Sequence, residues 1–210
     1  NSMKRVIVSL LVIAALGCKK EETPLAATPV ATAASDVSNV SYQANWNNAA
    51  NATEYELQTS TEATFVNVIT RTNLGGPTVV SGLSSNTEYF YRVRATNLGQ
   101  NPSSFSNVIS TITLPDAPTA IAATDIKQTS FQANWQSVSG VSDYVLYVSK
   151  DNFTSNPPDY VSGYGGIGVT GTSHMVTGLE AGKFYYYRLE SKVDTRISEP
   201  SNSEMVQTLF

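Results

Sequence analysis

The feature that most constrains the fold is an internal repeat. Residues 41–46 (SYQANW) recur almost unchanged as residues 130–135 (SFQANW), and the pair at residues 82–83 (GL) recurs at residues 178–179. Each copy is about 90 residues long, which is the size of a domain and not of a solenoid unit. Residues 114–118 (LPDAP) separate the copies, and their two prolines end strand pairing there. The repeat therefore predicts two domains of the same fold, joined by a short connection.

Within each copy, apolar and polar residues alternate. Tyr42, Ala44 and Trp46 are separated by Gln43 and Asn45. Such alternation predicts β-strands that bury one face. The other buried positions expected from it are Tyr55, Leu57, Thr59, Tyr89, Tyr91, Val93, Ala95, Phe131, Ala133 and Trp135. Charged residues make up only 14% of the chain, and no long helical pattern follows the N-terminal segment. Short strands at regular spacing predict an all-β chain built as sandwiches or closed sheets.

Three features of each copy together resemble the fibronectin type III domain. They are a tryptophan on the second strand (Trp46, Trp135), a tyrosine on the third (Tyr55, Tyr144), and a Gly-Leu turn that leads into a further tyrosine (Tyr89, Tyr185). Residues 82–89 (GLSSNTEY) are similar to that family's turn, whereas the second copy has Ala181 and Lys183 where proline and threonine are usual. The resemblance implies two tandem immunoglobulin-like β-sandwiches, at residues 29–114 and 115–210. The tyrosine that ends the turn would form a tyrosine corner, its hydroxyl bonded to upstream backbone.

The second copy carries an insertion between Ser149 and Gly178. Residues 163–168 (GYGGIG) fit the glycine spacing of a dinucleotide-binding loop, but a strand-like or turn-like stretch follows where that motif requires a helix. We interpret this segment as a flexible glycine loop. Residues 208–210 (TLF) stand where the last strand should end, so we expect both domains to be complete.

The first residues have the pattern of an export signal. Lys4 and Arg5 precede an apolar run at residues 6–16. As a helix this run would span only about 16 Å, half of a bilayer core, which is typical of a secretory signal. Residues 15–18 (ALGC) resemble the bacterial lipobox, which implies a signal peptide at residues 1–17 and a lipid-modified Cys18 at the mature N-terminus. The alternative is an ordinary signal peptide with an incidental cysteine.

The segment after Cys18 carries a second resemblance. Residues 19–22 (KKEE) are similar to the surface-export signal of Bacteroidetes-type lipoproteins. That implies a membrane partner through a lipid anchor at the outer face of an outer membrane; otherwise the segment is a solvated tether. Several acyl chains hold a protein stably without a transmembrane helix. Residues 18–28 would then be the tether to the first domain.

Composition argues against most kinds of chemistry. The net charge of −4 and the pI of 5.0 offer no cationic surface for nucleic acid. One cysteine excludes an intrachain disulfide, and together with one histidine, His174, it leaves no ordinary zinc site. The sequence has no G-x-S-x-G elbow and no acidic calcium loop, and its carboxylates are scattered. We therefore expect no enzyme, no catalytic residues, no metal and no cofactor.

The outward positions of the second copy form a candidate binding face. The candidate residues, taken from the alternation and from the insertion, are Val145, Tyr147, Tyr160, Tyr164, Tyr186 and Arg188. The matching positions of the first copy are a more polar set, namely Glu56, Gln58, Phe90 and Arg92. Exposed aromatic rings on one sheet face suit stacking on sugar rings or anchoring of a protein partner. The alternative is that these tyrosines are ordinary cross-strand pairs.

The functional hypothesis from sequence is a non-enzymatic, lipid-anchored cell-surface protein. Its two sandwiches would act in adhesion, display or spacing, with a glycan or a surface protein as the ligand. The alternative is an accessory or truncated part of a glycan-degrading or proteolytic system, in which these domains are spacers. Fold alone does not choose between the two hypotheses.

Overall fold

A computed structural model describes residues 24–97 and 100–210. These residues contain fifteen strands and no helix, so the all-β prediction is confirmed. No helix in these two ranges is long and apolar enough to cross a membrane. The predicted signal peptide, Cys18 and residues 19–22 lie outside the described residues.

The first sandwich contains seven strands. They are β1 (Ala31–Ser35), β2 (Ser41–Trp46), β3 (Glu54–Ser60), β4 (Ile69–Leu74), β5 (Thr78–Ser81), β6 (Glu88–Thr96) and β7 (Ile109–Ile112). One sheet has the order β1-β2-β5 and the other has the order β4-β3-β6-β7, and all pairs are antiparallel.

The second sandwich repeats this arrangement. Its strands are β8 (Thr119–Thr124), β9 (Ser130–Gln136), β10 (Asp143–Ser149), β11 (Tyr160–Thr170), β12 (Ser173–Thr177), β13 (Phe184–Val193), β14 (Arg196–Ile197) and β15 (Glu204–Gln207). One sheet has the order β8-β9-β12. In the other, β11 pairs β10, β10 pairs β13, and both β14 and β15 pair β13.

The two cores lie between the sheets, and they consist of the residues that alternation predicted. Every predicted core residue of both copies is buried. Each tryptophan packs against the tyrosine of the third strand, with 5.6 Å between ring centroids for Trp46 and Tyr55 and for Trp135 and Tyr144. The period-two pattern thus identifies both cores because a strand places successive side chains on opposite faces.

The tyrosine corner is confirmed in both sandwiches. The backbone N–H of Ser84 donates to the hydroxyl of Tyr89 at 2.9 Å, and the N–H of Glu180 donates to the hydroxyl of Tyr185 at the same distance. Both rings are buried, so each tyrosine fills its core and satisfies a turn N–H with one side chain. The unusual residues in the second turn do not disturb this bond.

One asparagine in each sandwich joins its two sheets, a role that the sequence did not indicate. Asn107 accepts from the N–H of Ala31 and donates to its carbonyl, both at 3.0 Å. Asn202 makes the same two bonds to Ala120, at 2.9 and 3.0 Å. Each side-chain amide therefore replaces a strand partner for the first strand of its domain.

One expectation about local structure is wrong. Residues 163–168 are not a flexible loop but the middle of strand β11, which pairs with β10 through a ladder that shifts register on both sides of Tyr147. Gly163 and Gly166 have φ of +84° and +108°, so these glycines allow the strand to bulge and continue. Ala26, within the segment expected to be the tether, is buried in the core of the first sandwich.

The connection between the sandwiches is held by polar contacts. Asp116 accepts hydrogen bonds from Asn39 Nδ2 at 2.9 Å and Ser85 Oγ at 2.8 Å, both in the first sandwich. From the second sandwich, Arg196 Nη1 donates to Asn86 Oδ1 at 2.7 Å and to the carbonyl of Thr113 at 3.2 Å. The short linker is thereby tied to both domains.

Candidate binding face of the second sandwich

The outer face of strands β10 and β13 carries most of the predicted residues. Tyr147 and Arg188 are direct cross-strand partners, and Tyr186 lies two residues before Arg188 on the same face. Their neighbours Leu146, Tyr185 and Tyr187 are buried, so alternation forces these three side chains outward. All three are half-buried.

The loop between β10 and β11 adds an aromatic residue that sequence reasoning missed. Phe153 lies with its ring centroid 4.1 Å from Cζ of Arg188, and Tyr147 lies at 5.8 Å from the same atom. Phe153 and Tyr160 are also in ring contact, with centroids 6.3 Å apart. The guanidinium is therefore stacked on an aromatic ring that comes from the insertion.

Asp151 holds this loop in place. Its carboxylate accepts from the hydroxyls of Ser149 and Ser155, and from the N–H groups of Phe153 at 3.1 Å and Ser155 at 3.0 Å. These bonds, the one from Ser149 foremost, hold the pKa of Asp151 well below its usual range. The loop is thereby ordered by a local hydrogen-bond network, which fixes the position of Phe153.

Two glycines of β11 provide the surface on which two tyrosine rings lie. A Cβ at Gly166 would lie 2.9 Å from Cε1 of Tyr147, and a Cβ at Gly165 would lie 3.4 Å from Cγ of Tyr160. The two rings are 6.0 Å apart with an interplanar angle of 37°. Gly165 and Gly166 therefore serve packing, because the absence of a Cβ lets both tyrosine rings lie close against the sheet.

Tyr147 is hydrogen-bonded to a carboxylate that was not among the residues predicted for the face. Its hydroxyl donates to Glu190 Oε2 at 2.9 Å. Burial first, and then this hydrogen bond and the charge of Glu190, raise the pKa of Tyr147 to about 12. Glu190 is the next outward residue after Arg188 on β13, so a signal was available in the alternation.

Arg188 has no hydrogen-bond or ion-pair partner among the residues that the structure describes. Its Nε is buried and makes no hydrogen bond, and neither of the two ion pairs found in the described ranges includes it. Its contacts are the two ring interactions with Phe153 and Tyr147. A half-buried guanidinium without an acceptor is unusual, because such a group loses water without replacing its hydrogen bonds.

Tyr164 does not join this face. Its hydroxyl accepts from the N–H of Thr177 on β12 at 3.0 Å, and its ring contacts His174 with centroids 6.2 Å apart. Tyr164 therefore bridges the edges of the two sheets, while Tyr160 joins Tyr147. We define the candidate face by the residues that the structure brings together, namely Tyr147, Phe153, Tyr160, Tyr186, Arg188 and Glu190.

The equivalent place in the first sandwich is closed by its own side chains. Arg92 lies between Phe65 and Phe105, with its Cζ 4.3 and 4.1 Å from the ring centroids. Its Nε and Nη2 both donate to Gln58 Oε1, at 3.0 and 2.8 Å. The next arginine, Arg94, forms an ion pair with Glu56 at 2.7 Å. Arg92 and Arg94 therefore each have an acceptor within the first domain, although Nε of Arg94 is buried without a hydrogen bond.

The candidate face continues into an apolar area at its side. Phe184 is 49% exposed and Met205, the cross-strand partner of Tyr186, is 60% exposed. On the first sandwich, Ser110 is the partner of Phe90 in the equivalent pairing. At this pairing the second domain therefore places Tyr186 beside an exposed methionine, where the first domain places Phe90 beside a serine.

The described residues offer no metal-binding cluster. Within residues 24–97 and 100–210, no three histidine, cysteine or carboxylate side chains are grouped closely enough to hold a metal ion. His174 is half-buried beside Tyr164.

The strand order, the tyrosine corners and the tryptophan cores define a tandem pair of immunoglobulin-like sandwiches. Residues 116–204 match the family model of the fibronectin type III domain. The second sandwich is therefore a fibronectin type III domain, and the first has the same sheets and corner and shares that fold.

Solved structures were also compared with the chain. A two-domain fibronectin type III segment of chicken tenascin covers 86% of this chain and 99% of its own, with 21% sequence identity and a TM-score of 0.48. The FN1–FN3 domains of chicken CNTN1 cover 88% of this chain and 69% of their own, with 18% identity and a TM-score of 0.41. No curated protein matches the sequence.

Proposed function

We propose that this protein is a non-enzymatic binding and spacing module, which contacts its ligand through the candidate face of the second sandwich. It would serve adhesion or display at a cell surface. The observation that carries the proposal is the difference between the two sandwiches. One scaffold position holds an arginine bonded to Gln58 in the first domain, and an arginine without an acceptor in the second.

The geometry of that difference favours a ligand on the second domain. Gln58 and Tyr147 are each the direct cross-strand partner of the arginine on the neighbouring strand. Where the first domain has an amide acceptor, the second has a phenol whose hydroxyl is directed to Glu190. The Nη donors of Arg188 are left for a group outside the chain, and aromatic rings beside such a cation are frequent anchors in interfaces.

The position of the face also suits a spacer. Strand β10 begins near the first sandwich, since Gly140 lies close to Asn86, and its last residue, Ser149, lies about 20 Å further along. The face surrounds that far end. At the other end of the chain, Asn97 Nδ2 donates to the carbonyl of Pro24 at 3.0 Å, so the described chain enters on the opposite side of the first sandwich.

We propose further that Cys18 carries the lipid that anchors the protein at the outer membrane surface. The segment between Cys18 and Pro24 is short, so the first sandwich would lie close to the membrane and the candidate face would lie away from it. Replacement Cys18→Ser should release the protein from membranes. Continued sedimentation of that variant with membranes after salt washing would contradict the anchor.

The binding proposal is tested with a glycan and protein ligand array probed with the full chain. The double variant Tyr147→Ala plus Tyr186→Ala should lose the signal, because it removes two rings of the face. The matched control is Phe90→Ala, at the position of the first domain equivalent to Tyr186, together with Arg92→Gln, and this variant should bind like the wild type. Equal binding by all three proteins would refute the assignment of the face.

The contacts at the linker favour a second candidate, in which the two domains act only as a spacer in a glycan-degrading or proteolytic system. Asp116 and Arg196 fix the connection without involving the candidate face. This candidate predicts that no ligand on the array binds the chain. It also predicts that Arg196→Ala lowers the activity of a catalytic domain that is attached to these two domains.

A further inference from the structure

We propose that Arg188 binds the carboxylate of an acidic sugar whose ring lies against Tyr147 and Tyr160. This inference rests on the proposed function, because it names the ligand class for the same face. It starts from the guanidinium of Arg188, which has aromatic contacts but no acceptor among the described residues.

The arrangement around Arg188 selects a carboxylate. Phe153 covers a flat side of the guanidinium at 4.1 Å, and Nε is buried, which leaves the edge formed by the two Nη groups as the side for a ligand. A guanidinium edge matches a carboxylate through two parallel hydrogen bonds, and stacking on a ring holds it in a fixed orientation. Half-burial strengthens such a pair relative to one in open water.

The two tyrosines beside Arg188 favour a sugar ring. Gly165 and Gly166 let the rings of Tyr160 and Tyr147 settle close to the sheet, and the rings are 6.0 Å apart at a moderate tilt. Aromatic rings in this arrangement form a broad shallow surface with negatively polarised faces. The C–H groups on one side of a pyranose ring can lie against such a surface, while a carboxylate on the same sugar reaches the guanidinium.

The free edge of β11 argues against an extended peptide as the ligand. Strand addition needs a regular row of exposed N–H and C=O groups. The β11 ladder shifts register on both sides of Tyr147, and Gly163 and Gly166 have positive φ, so the edge is bulged along this part. A ligand that uses side-chain surfaces suits this site better than one that uses backbone pairing.

Glu190 limits the charge that the site accepts. Its carboxylate is bound by Tyr147 and is the next outward group after Arg188 on β13. It would repel a second anionic group on the ligand. The site therefore fits one carboxylate at Arg188 and disfavours densely charged polyanions.

The test is isothermal titration of the full chain with oligosaccharides that end in glucuronic, galacturonic or sialic acid. Each is paired with the same oligosaccharide after reduction of its carboxyl group to an alcohol. At least one acid should bind, and its reduced partner should bind roughly 10- to 100-fold more weakly, the loss expected for a hydrogen-bonded charge. A short polyglutamate peptide serves as the acidic peptide probe.

Three variants of the site and one control variant keep the experiment interpretable. Arg188→Gln should lose the preference for the acid, and Arg188→Lys should retain only part of it because an ammonium lacks the planar fork. Tyr147→Gln installs the residue of the first domain, which should give Arg188 an internal acceptor and close the site. Arg92→Gln in the first domain is the matched control and should bind like the wild type, with circular dichroism confirming that each variant is folded.

The outcomes separate this inference from the proposed function. Equal binding of acid and reduced sugars, or binding of polyglutamate alone, overturns the acidic-sugar inference. The proposed binding face still stands in that case if the double variant Tyr147→Ala plus Tyr186→Ala abolishes the binding. Unchanged acid preference in Arg188→Gln also overturns it. If the acids and every ligand on the array fail to bind, both the inference and the binding function are wrong.

Discussion

Replacement of Gly166 by alanine tests how the candidate face is built. The residue has φ of +108°, a region that only glycine occupies without strain, and its new Cβ would lie 2.9 Å from Cε1 of Tyr147. Backbone strain of this kind costs about 1–3 kcal/mol. The ring of Tyr147 must also move, which would lengthen its 2.9 Å bond to Glu190.

Gly168→Ala is the matched control in the same strand. A Cβ at Gly168 would meet nothing within 4 Å, and its φ is outside the glycine-only range. That variant should change the free energy of unfolding by less than about 1 kcal/mol, and in the stabilising direction, because alanine restricts the unfolded chain. Both variants are made in a Trp46→Phe background, so that the fluorescence of Trp135 reports unfolding of the second sandwich in denaturant.

The second readout is the pKa of Tyr147, which burial and Glu190 raise to about 12. Displacement of the ring in Gly166→Ala should lower this pKa towards the ordinary tyrosine value near 10, as followed by ultraviolet titration. The same free energy of unfolding for Gly166→Ala and Gly168→Ala, with an unchanged tyrosine titration, would refute the idea that glycine seats the ring.

Three further predictions concern the linker, the core and the β10–β11 loop. Arg196→Ala removes two charge-assisted hydrogen bonds to the first sandwich and should weaken domain coupling by about 1–3 kcal/mol; small-angle scattering should show a broader spread of interdomain distances, and an unchanged profile would count against the contact. Trp135 is only 2% exposed, so Trp135→Ala should destabilise the second domain by about 3–5 kcal/mol in denaturant unfolding, and a loss below about 1 kcal/mol would contradict its place in the core. The lowered pKa of Asp151 means that its bonds stabilise the loop above the ordinary aspartate pKa near 3.9 and are lost as the pH falls towards the lowered value. Hydrogen exchange at the N–H groups of Phe153 and Ser155 should therefore stay slow at pH 4 and become fast in Asp151→Ala, whereas equal rates in both proteins would contradict the network.

The cores and corners could be predicted from sequence because the relevant information is local. Alternation around Trp46 and Trp135 fixes which side chains point inward, and the Gly-Leu turn places Tyr89 and Tyr185. The repeat strengthens each assignment, since the same positions recur in the same order. These features depend only on strand periodicity and turn chemistry.

The rest of the candidate face depends on contacts between distant parts of the chain. Phe153 reaches Arg188 from a loop, and the glycines of β11 accept rings from β10 and from their own strand. A bulged strand rich in glycine has no local pattern that separates it from a loop, which explains the wrong interpretation of residues 163–168. A comparison of the loops that follow Ser60 and Ser149 would have been a useful signal, because Phe65 and Phe153 both stack on the arginine of their domain.

The most direct test of the account is a nuclear magnetic resonance titration that observes the Nε–H groups of the arginines in the full chain. Addition of an oligosaccharide with one uronic acid should shift the resonance of Arg188 and leave that of Arg92, whose Nε is already bonded to Gln58, in place. Equal shifts at both arginines, or no shift at Arg188 with a sugar that binds, would contradict the central claim that Arg188, unlike the equivalent Arg92, has no internal acceptor and is left for a ligand.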